Sequence, residues 1–493
     1  MPSYQEYRKK NNEYGVIEEL RHPLAYVQGL PGSSLGEMVI IENEAIGQIT
    51  ALNDDYVEVL ILSPVDIVPG MEVARCQKQL SIAVGPHLRG HAINPLGESL
   101  FADQPISVTQ QEERVIDITP PHIKTRRTIT KPFYTGTSVI DLLLPLAQGQ
   151  REAILGDPTT GKSSFLLTTI RNHAETGIVV YAAIGKPWND IKKMYNYIVQ
   201  NAKKENIILV AASAEDIISN ITITPFTAMT IAEYWRDQGE NVLVVFDDLS
   251  SHAKFYREIG LLARRFPARE SYPGDIFYLH ARLLERGGNF FHPTKKQEVS
   301  ITCLPVVETV KEDFTGYIVS NIISITDGHL FFDENIFSQG RRPAINVPLS
   351  VTRLGGHTQT ALTRQLNRKL IVLMNKHAEA QSYTHFGAEL PENMQRILDA
   401  GDCLLNFLSQ PLFRTIPYPV QVIFASMIWL GWLNKNKAQV GQWRDNLAEV
   451  YQSQTQINNL FQKLMSIKDL DAFAAQMKQQ QDYLLSLCQS TTK

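Results

Sequence analysis

The run Gly156-Asp157-Pro158-Thr159-Thr160-Gly161-Lys162-Ser163 has the spacing G-x-x-x-x-G-K-[ST], and its residue types suit one task, the cradling of a polyphosphate. Two glycines permit tight backbone geometry, amides at the start of the next helix point at phosphate oxygens, and Lys162 adds charge at the outer phosphates. Ser163 carries the hydroxyl expected to ligate Mg²⁺, and Ser164 stands beside it at the helix start. A second anchor would be an acidic residue ending an apolar strand, and Val242-Leu243-Val244-Val245-Phe246-Asp247-Asp248 supplies two. Asp247 is the expected member of the magnesium shell, because a buried strand-end carboxylate is expensive unless a cation or hydrogen-bond donors pair it. Asp248 is open between that role and the role of a structural hydrogen-bond acceptor.

Holding these groups in place calls for a parallel sheet with helices on both faces. Between about residues 76 and 356, apolar runs alternate with helical stretches, and runs 152–155, 178–183, 207–211 and 242–246 are the expected buried strands. The phosphate-binding run fits this frame, following the strand 153–155 and opening an apolar helix over 164–170. Before it, residues 14–75 contain short β-branched runs at 38–41, 45–52 and 56–62 between Gly, Asn and Asp turn signals, the pattern of a small antiparallel barrel. After it, Leu366, Leu370, Leu373, Leu404, Leu405 and Leu408 recur at helical spacing, and the Gln-, Lys-, Leu- and Met-rich stretch 452–488 suits amphipathic helices. The expected fold is multidomain α/β: an N-terminal antiparallel β-barrel over 1–75, a P-loop α/β nucleotide-binding domain over 76–356, and an α-helical domain over 357–493.

Composition narrows the function. At 493 residues the chain exceeds what one hydrophobic core supports, and 44% hydrophobic with 20% charged residues describes a globular protein. A net charge of −4 offers no basic field for nucleic acid. Cys76, Cys303, Cys403 and Cys488 lie far apart, which excludes a zinc knuckle or disulfide framework and suits reduced thiols in a cytosolic compartment. The polar start MPSYQEYRKKNNEYG argues against secretion, and the most apolar late stretch, 420–433, is too short for a membrane span and is interrupted by Gln421. It reads as a buried helix.

A phosphate loop and a strand-end aspartate leave export ATPases, helicases and rotary ATPases open. The segments Asp247-Asp248-Leu249-Ser250, Arg264-Arg265-Phe266-Pro267-Ala268-Arg269-Glu270-Ser271-Tyr272-Pro273-Gly274-Asp275 and Leu283-Leu284-Glu285-Arg286 closely resemble the alpha subunits of F-type ATP synthases. So do Ser324-Ile325-Thr326-Asp327-Gly328, the run from Gly340 through Arg341-Arg342-Pro343 to Arg353, and, in the helical region, His385-Phe386-Gly387 and Gln410-Pro411. The resemblance implies a RecA-like central domain that binds ATP or ADP with Mg²⁺, and a base pocket containing Phe337, Arg342 and Gln410. It implies that Arg353, supported by Ser350, reaches into the catalytic site of a neighbouring beta subunit as an arginine finger. From the residues alone, an arginine after Leu-Ser-Val is more often a surface or ion-pair residue. Further implied are an alternating alpha–beta hexamer, gamma and delta stalk subunits, a membrane ion-translocating sector reached only through partners, and a peripheral place on the cytoplasmic face of a bacterial inner membrane.

The resemblance also implies that the chain does not hydrolyse ATP by itself. Catalytic beta relatives carry a Glu just after the strand that follows the phosphate-loop helix, where this chain reads Ala183-Ile184-Gly185-Lys186. An ammonium can hold phosphate but cannot accept a proton from water unless burial lowers its pKa drastically. Two readings of Lys186 remain open, a phosphate-holding cation and a solvated surface residue. Other departures from the alpha pattern are Pro158 and Thr159 in the loop, Pro158 contributing no N–H to the cradle, together with Pro348, Thr352 and Leu412. Competing readings are a self-sufficient homohexameric export ATPase, an RNA-translocating helicase on the same fold, and membership of an alternative rotary ATPase.

Overall fold

The computed structural model describes residues 3–11, 13–101, 111–384 and 391–489, so the segment His385-Phe386-Gly387 lies outside the described residues. The chain forms an N-terminal β-barrel, a central α/β region and a C-terminal helical region. By internal contacts it divides into two compact units, the first made of Met1–Arg127, Ala174–Glu308 and Asp313–Thr326, the second of Thr128–His173, Thr309–Glu312 and Asp327–Lys493.

In the first unit, six antiparallel strands close a barrel in the order Tyr14–Arg21, Leu24–Gln28, Val57–Ile61, Ile46–Leu52, Glu37–Ile41, Glu72–Gln79. Side chains alternate across each strand, so Ala25 and Val27, Val39 and Ile41, and Val57, Val59 and Ile61 point into one apolar core. The expected runs at 38–41, 45–52 and 56–62 all fall on barrel strands. Leu24, Tyr26 and Leu60 on the barrel's outer face pack with Ile259 of the helix Leu249–Leu262, and Glu58 pairs with Arg265 at 2.9 Å.

The same unit holds parallel strands in the order Ala92–Ile93, Ile207–Ser213, Ile178–Lys186, Val242–Asp247, Gln297–Glu308, with Gly288–His292 antiparallel to the last. Val179, Val180, Val244 and Val245 are fully buried, as expected of β-branched residues in a sheet covered on both faces. Two elements lacked a clear signal. The helix Ile218–Asp237 is buried along nearly its whole length, so its burial has no amphipathic period, and the strand Gln297–Glu308 mixes polar and apolar residues over 12 positions.

Arg286, from the Leu283-Leu284-Glu285-Arg286 run, is buried against Glu233 of that helix. Its Nη2 lies 2.6 Å from Glu233 Oε2 and 2.8 Å from Thr230 Oγ1, and Nη1 donates to Ile116 O at 2.8 Å. Nearby, His252 and His280 are both buried, with 3.1 Å between His252 Nδ1 and His280 Nε2, and His252 Nε2 meets the carbonyl of Thr222 at 3.0 Å. Burial disfavours the charged imidazoles, pushing His252 down to about 4 and His280 well below its ordinary value.

In the second unit, Ala153–Gly156 runs parallel to Gly328–Phe332, which pairs antiparallel with the short strand Val351–Thr352. Pro132–Phe133 pairs antiparallel with Leu146–Ala147, and the C-terminal part of the unit is helical, from Ala361–Thr384 through Gln481–Gln489. Tyr418–Trp429 is its buried centre, and no helix among the described residues is long and apolar enough to cross a membrane. Gln421, the polar interruption in that run, is fully buried and donates to Asp141 Oδ2 at 2.9 Å. Asp141 also accepts from Thr135 and Gly136, but burial outweighs these donors and raises its pKa to about 6. All four cysteines, Cys76, Cys303, Cys403 and Cys488, are buried.

Two expectations concern the buried polar groups of the first unit. Glu233→Ala removes the partner of a buried guanidinium, and chemical denaturation should register a loss of about 3–5 kcal/mol; a change near zero would mean that Arg286 finds other acceptors. The histidine pair is neutral when folded and titrates near 6.5 when unfolded, so below that value the unfolded state binds more protons and stability is lost as pH falls toward about 4. His280→Asn should therefore have a shallower acid-side decline in melting temperature than the native chain; parallel profiles would contradict the assignment.

Candidate functional site

The phosphate loop lies in the second unit, between the strand Ala153–Gly156 and the helix Lys162–His173. Gly156 is required on two counts: its φ is +151°, and a Cβ there would approach Phe332 O to 2.6 Å. The loop is braced from within. Thr160 Oγ1 donates to Asp157 O at 2.8 Å, and Lys162 Nζ donates to the carbonyls of Gly156 and Asp157, both at 2.7 Å. The ammonium is thus folded over the loop whose phosphate it is expected to meet. Pro158 and Thr159 form the exposed tip, Thr159 at a φ of +66°. Ser163 is exposed and Ser164 half-buried at the helix start.

A brace that local sequence did not signal comes from residues 309–312. Thr309 N donates to Gly156 O at 3.2 Å, Thr309 Oγ1 donates to Asp157 Oδ1, and Glu312 N donates to the same carboxylate at 3.2 Å. Asp157 is therefore an acceptor that fixes the loop's entry, 152 positions away in sequence from the hydroxyl it binds.

The expected base-pocket residues come together in the same unit. A Cβ on Gly161 would lie 3.5 Å from the Phe337 ring, so that ring stands beside the loop. The Arg342 guanidinium sits 3.5 Å over the centre of the Phe337 ring and donates to Phe337 O at 2.6 Å. Gln410 N donates to Arg342 O at 2.7 Å. The Gln410 carboxamide is engaged elsewhere, accepting from Ser138 N and donating to Gly136 O and Arg414 O, each at 3.1 Å. Gln410 thus ties backbone segments together. Leu412 is exposed.

Arg353 follows the strand Val351–Thr352 and is exposed, with its backbone N–H donating to Asp327 O at 3.1 Å. Asp327 also receives the Arg151 guanidinium through both oxygens, at 2.8 and 3.0 Å. Ser350, buried, accepts from Phe331 N at 2.9 Å and donates to Asn346 O at 2.7 Å. Its hydroxyl therefore clamps the start of that strand to the strand Gly328–Phe332, a supporting role for whatever Arg353 does.

Asp247 and Lys186 belong to the first unit. The parallel register sets Ala183 opposite Asp247, and an irregularity between Ile184 and Lys186 turns the following residue toward the acid. Gly185 makes this turn possible: its φ is +62°, and a Cβ would come within 2.4 Å of Phe255. Lys186 Nζ lies 2.8 Å from Asp247 Oδ1, and the Tyr181 hydroxyl donates to Oδ2. Burial tends to lower the Lys186 pKa, but Asp247 and Asp248 outweigh it and leave the ammonium above its usual value, so it is charged at neutral pH. The solvated-surface reading of Lys186 fails, since its side chain is only 22% exposed.

Asp248 proves to be the structural acceptor, capping the helix Leu249–Leu262 through Ser251 N. Burial, followed by the neighbouring Asp247 charge, raises it to about 6 against the opposing pull of Lys186. Tyr181 is a further partner of this acid, and its one sequence signal is a lone hydroxyl in the aliphatic run Ile178-Val179-Val180-Tyr181-Ala182-Ala183.

The expectation of Mg²⁺ shared by Ser163 and Asp247 meets a poor fit. Both Asp247 oxygens already have partners, one of them a cation.

Residues 136–352 match the ATP synthase alpha/beta family, nucleotide-binding domain, and residues 359–482 match the ATP synthase alpha/beta chain, C terminal domain. The chain is 35% identical over 428 residues to a Clostridium kluyveri protein named ATP synthase subunit alpha, covering 86% of this chain and 84% of that one. Proteins of the same name from Mycoplasma pneumoniae and Neorickettsia sennetsu are 38% identical over 403 residues (81% of this chain, 77% of the relative) and 36% identical over 423 residues (84% and 82%). With the loop, the strand-end acid and matches of this length, the chain belongs to the ATP synthase alpha/beta family.

Proposed function

We propose that the chain is the alpha-type subunit of an F-type ATP synthase: it binds ATP or ADP through the loop 156–163 beside Phe337 and Arg342, and does not hydrolyse it alone. The alpha assignment draws on the relatives' names. The observation that carries the non-hydrolysing part is the Lys186–Asp247 ion pair at 2.8 Å. Splitting the terminal phosphoryl group requires a carboxylate that orients and polarises water. The strand Ile178–Lys186 ends instead in a charged ammonium, which has no lone pair to accept the proton.

The chain's contribution to chemistry is then made in trans. Arg353 is exposed directly after a strand held by Ser350, with its own backbone N–H bound to Asp327 O, a rigid mount for a guanidinium that stays ionised and presents a planar donor fork. Donated to the catalytic site of an adjacent beta subunit, it stabilises charge on the transferring phosphoryl oxygens, an effect of about 10³–10⁵ in rate. The assembly implied is an alternating alpha–beta hexamer with gamma and delta stalk subunits, coupled to a membrane ion-translocating sector and peripheral to the cytoplasmic face of a bacterial inner membrane. Within it, residues 1–75, 76–356 and 357–493 act as barrel, nucleotide-binding and helical domains.

In a complex reconstituted with its beta and gamma partners, Arg353→Ala should assemble normally and lose about 10³-fold or more in multisite ATP turnover. Turnover close to that of the native complex would refute the finger. The purified chain alone should not release phosphate from ATP; brisk release would favour the self-sufficient ATPase instead.

A further inference from the structure

We infer that nucleotide binding by this chain is independent of a divalent metal, because Lys186 and Tyr181 occupy both oxygens of the carboxylate that a metal shell would use. The inference rests on the nucleotide-binding reading above and adds the chemical form of the ligand, the free nucleotide rather than its Mg²⁺ complex. In P-loop proteins the ion is held by the loop's Ser or Thr hydroxyl, the phosphates and a strand-end aspartate. Mg²⁺ gives up its waters reluctantly and relies on one or two protein carboxylates beside the phosphates. Here the aspartate's Oδ1 is 2.8 Å from an ammonium, and its Oδ2 accepts from Tyr181. Neither oxygen is left unsatisfied, and a divalent ion drawn to Asp247 would have to sit against a like charge.

The pairing is built into the fold. Lys186 is presented by a glycine at positive φ packed against Phe255, and its carbonyl accepts from Ala214 N at 3.0 Å. Tyr181 projects from the same strand, fully buried, and its hydroxyl donates to Asp247 Oδ2. The remaining acids nearby do not replace the lost ligand. Asp248 is taken up in capping its helix, and Glu308 adds its charge to the field that holds the ammonium. Removing Asp247's net charge in this way also solves the desolvation problem that a metal would otherwise solve.

The test uses the full-length chain and ATP. Calorimetric affinities with excess EDTA and with excess Mg²⁺ should agree within about threefold, whereas Lys186→Gln should bind at least about tenfold tighter with Mg²⁺, a difference of about 1.4 kcal/mol. A second measurement needs no variant: native chain loaded with ATP and gel-filtered through EDTA should keep its nucleotide with no Mg²⁺ by elemental analysis. Affinity of the native chain that collapses in EDTA, or nucleotide lost together with the metal, overturns the inference while leaving nucleotide binding intact. Absence of binding under both conditions sinks the nucleotide-binding reading itself, and the inference with it.

Discussion

A carboxylate at the buried end of a parallel strand cannot be left alone, and the neutralisation of Asp247 is the constraint around which the first unit's chemistry is arranged. Moving a charge out of water costs several kcal/mol unless a partner and donors replace the solvent. Asp247 receives both, an ammonium from the neighbouring strand and a phenol from the middle of it. The parallel register, the irregularity after Ile184 and the glycine at 185 all serve to deliver Lys186 to that point. The lysine at this strand end thus supplies the countercharge for the aspartate beside it.

The second unit solves a different problem, the shaping of a loop whose backbone must be ready for anions before any arrives. Its carbonyls are turned inward and occupied by Lys162, Thr160 and Thr309, which leaves the loop's conformation fixed by its own hydrogen bonds. Pro158 is tolerated because it stands at the exposed tip, where a missing N–H opens no hole in that network. Gln410 ties backbone segments and Ser350 clamps a strand, so Phe337, Arg342 and Arg353 are held by neighbours whose own polar groups are satisfied.

Buried polar pairs recur away from the sites as well. Arg286 with Glu233, His252 with His280, and Asp141 with Gln421 each join elements distant in sequence within one unit. Such pairs contribute little net stability compared with apolar packing, but leaving one member unpaired is costly, so they penalise misregistered arrangements.

The sequence by itself determined the elements whose signals are local. The glycine spacing of 156–161, the aliphatic runs ending at Leu155, Ala183 and Phe246, and the barrel's β-branched alternation each depend on residues near one another, and each appears in the structure. It also identified the family, through motifs spread over most of the chain. What only the tertiary structure decided are the partnerships: Lys186 with Asp247, Tyr181 with the same acid, Thr309 with Asp157, and Gln410 with Ser138. The reason is physical. A side chain's role follows from which charge or donor folding brings within about 3 Å of it, and that proximity is fixed by strand register and packing across tens to hundreds of residues, which no local spacing encodes.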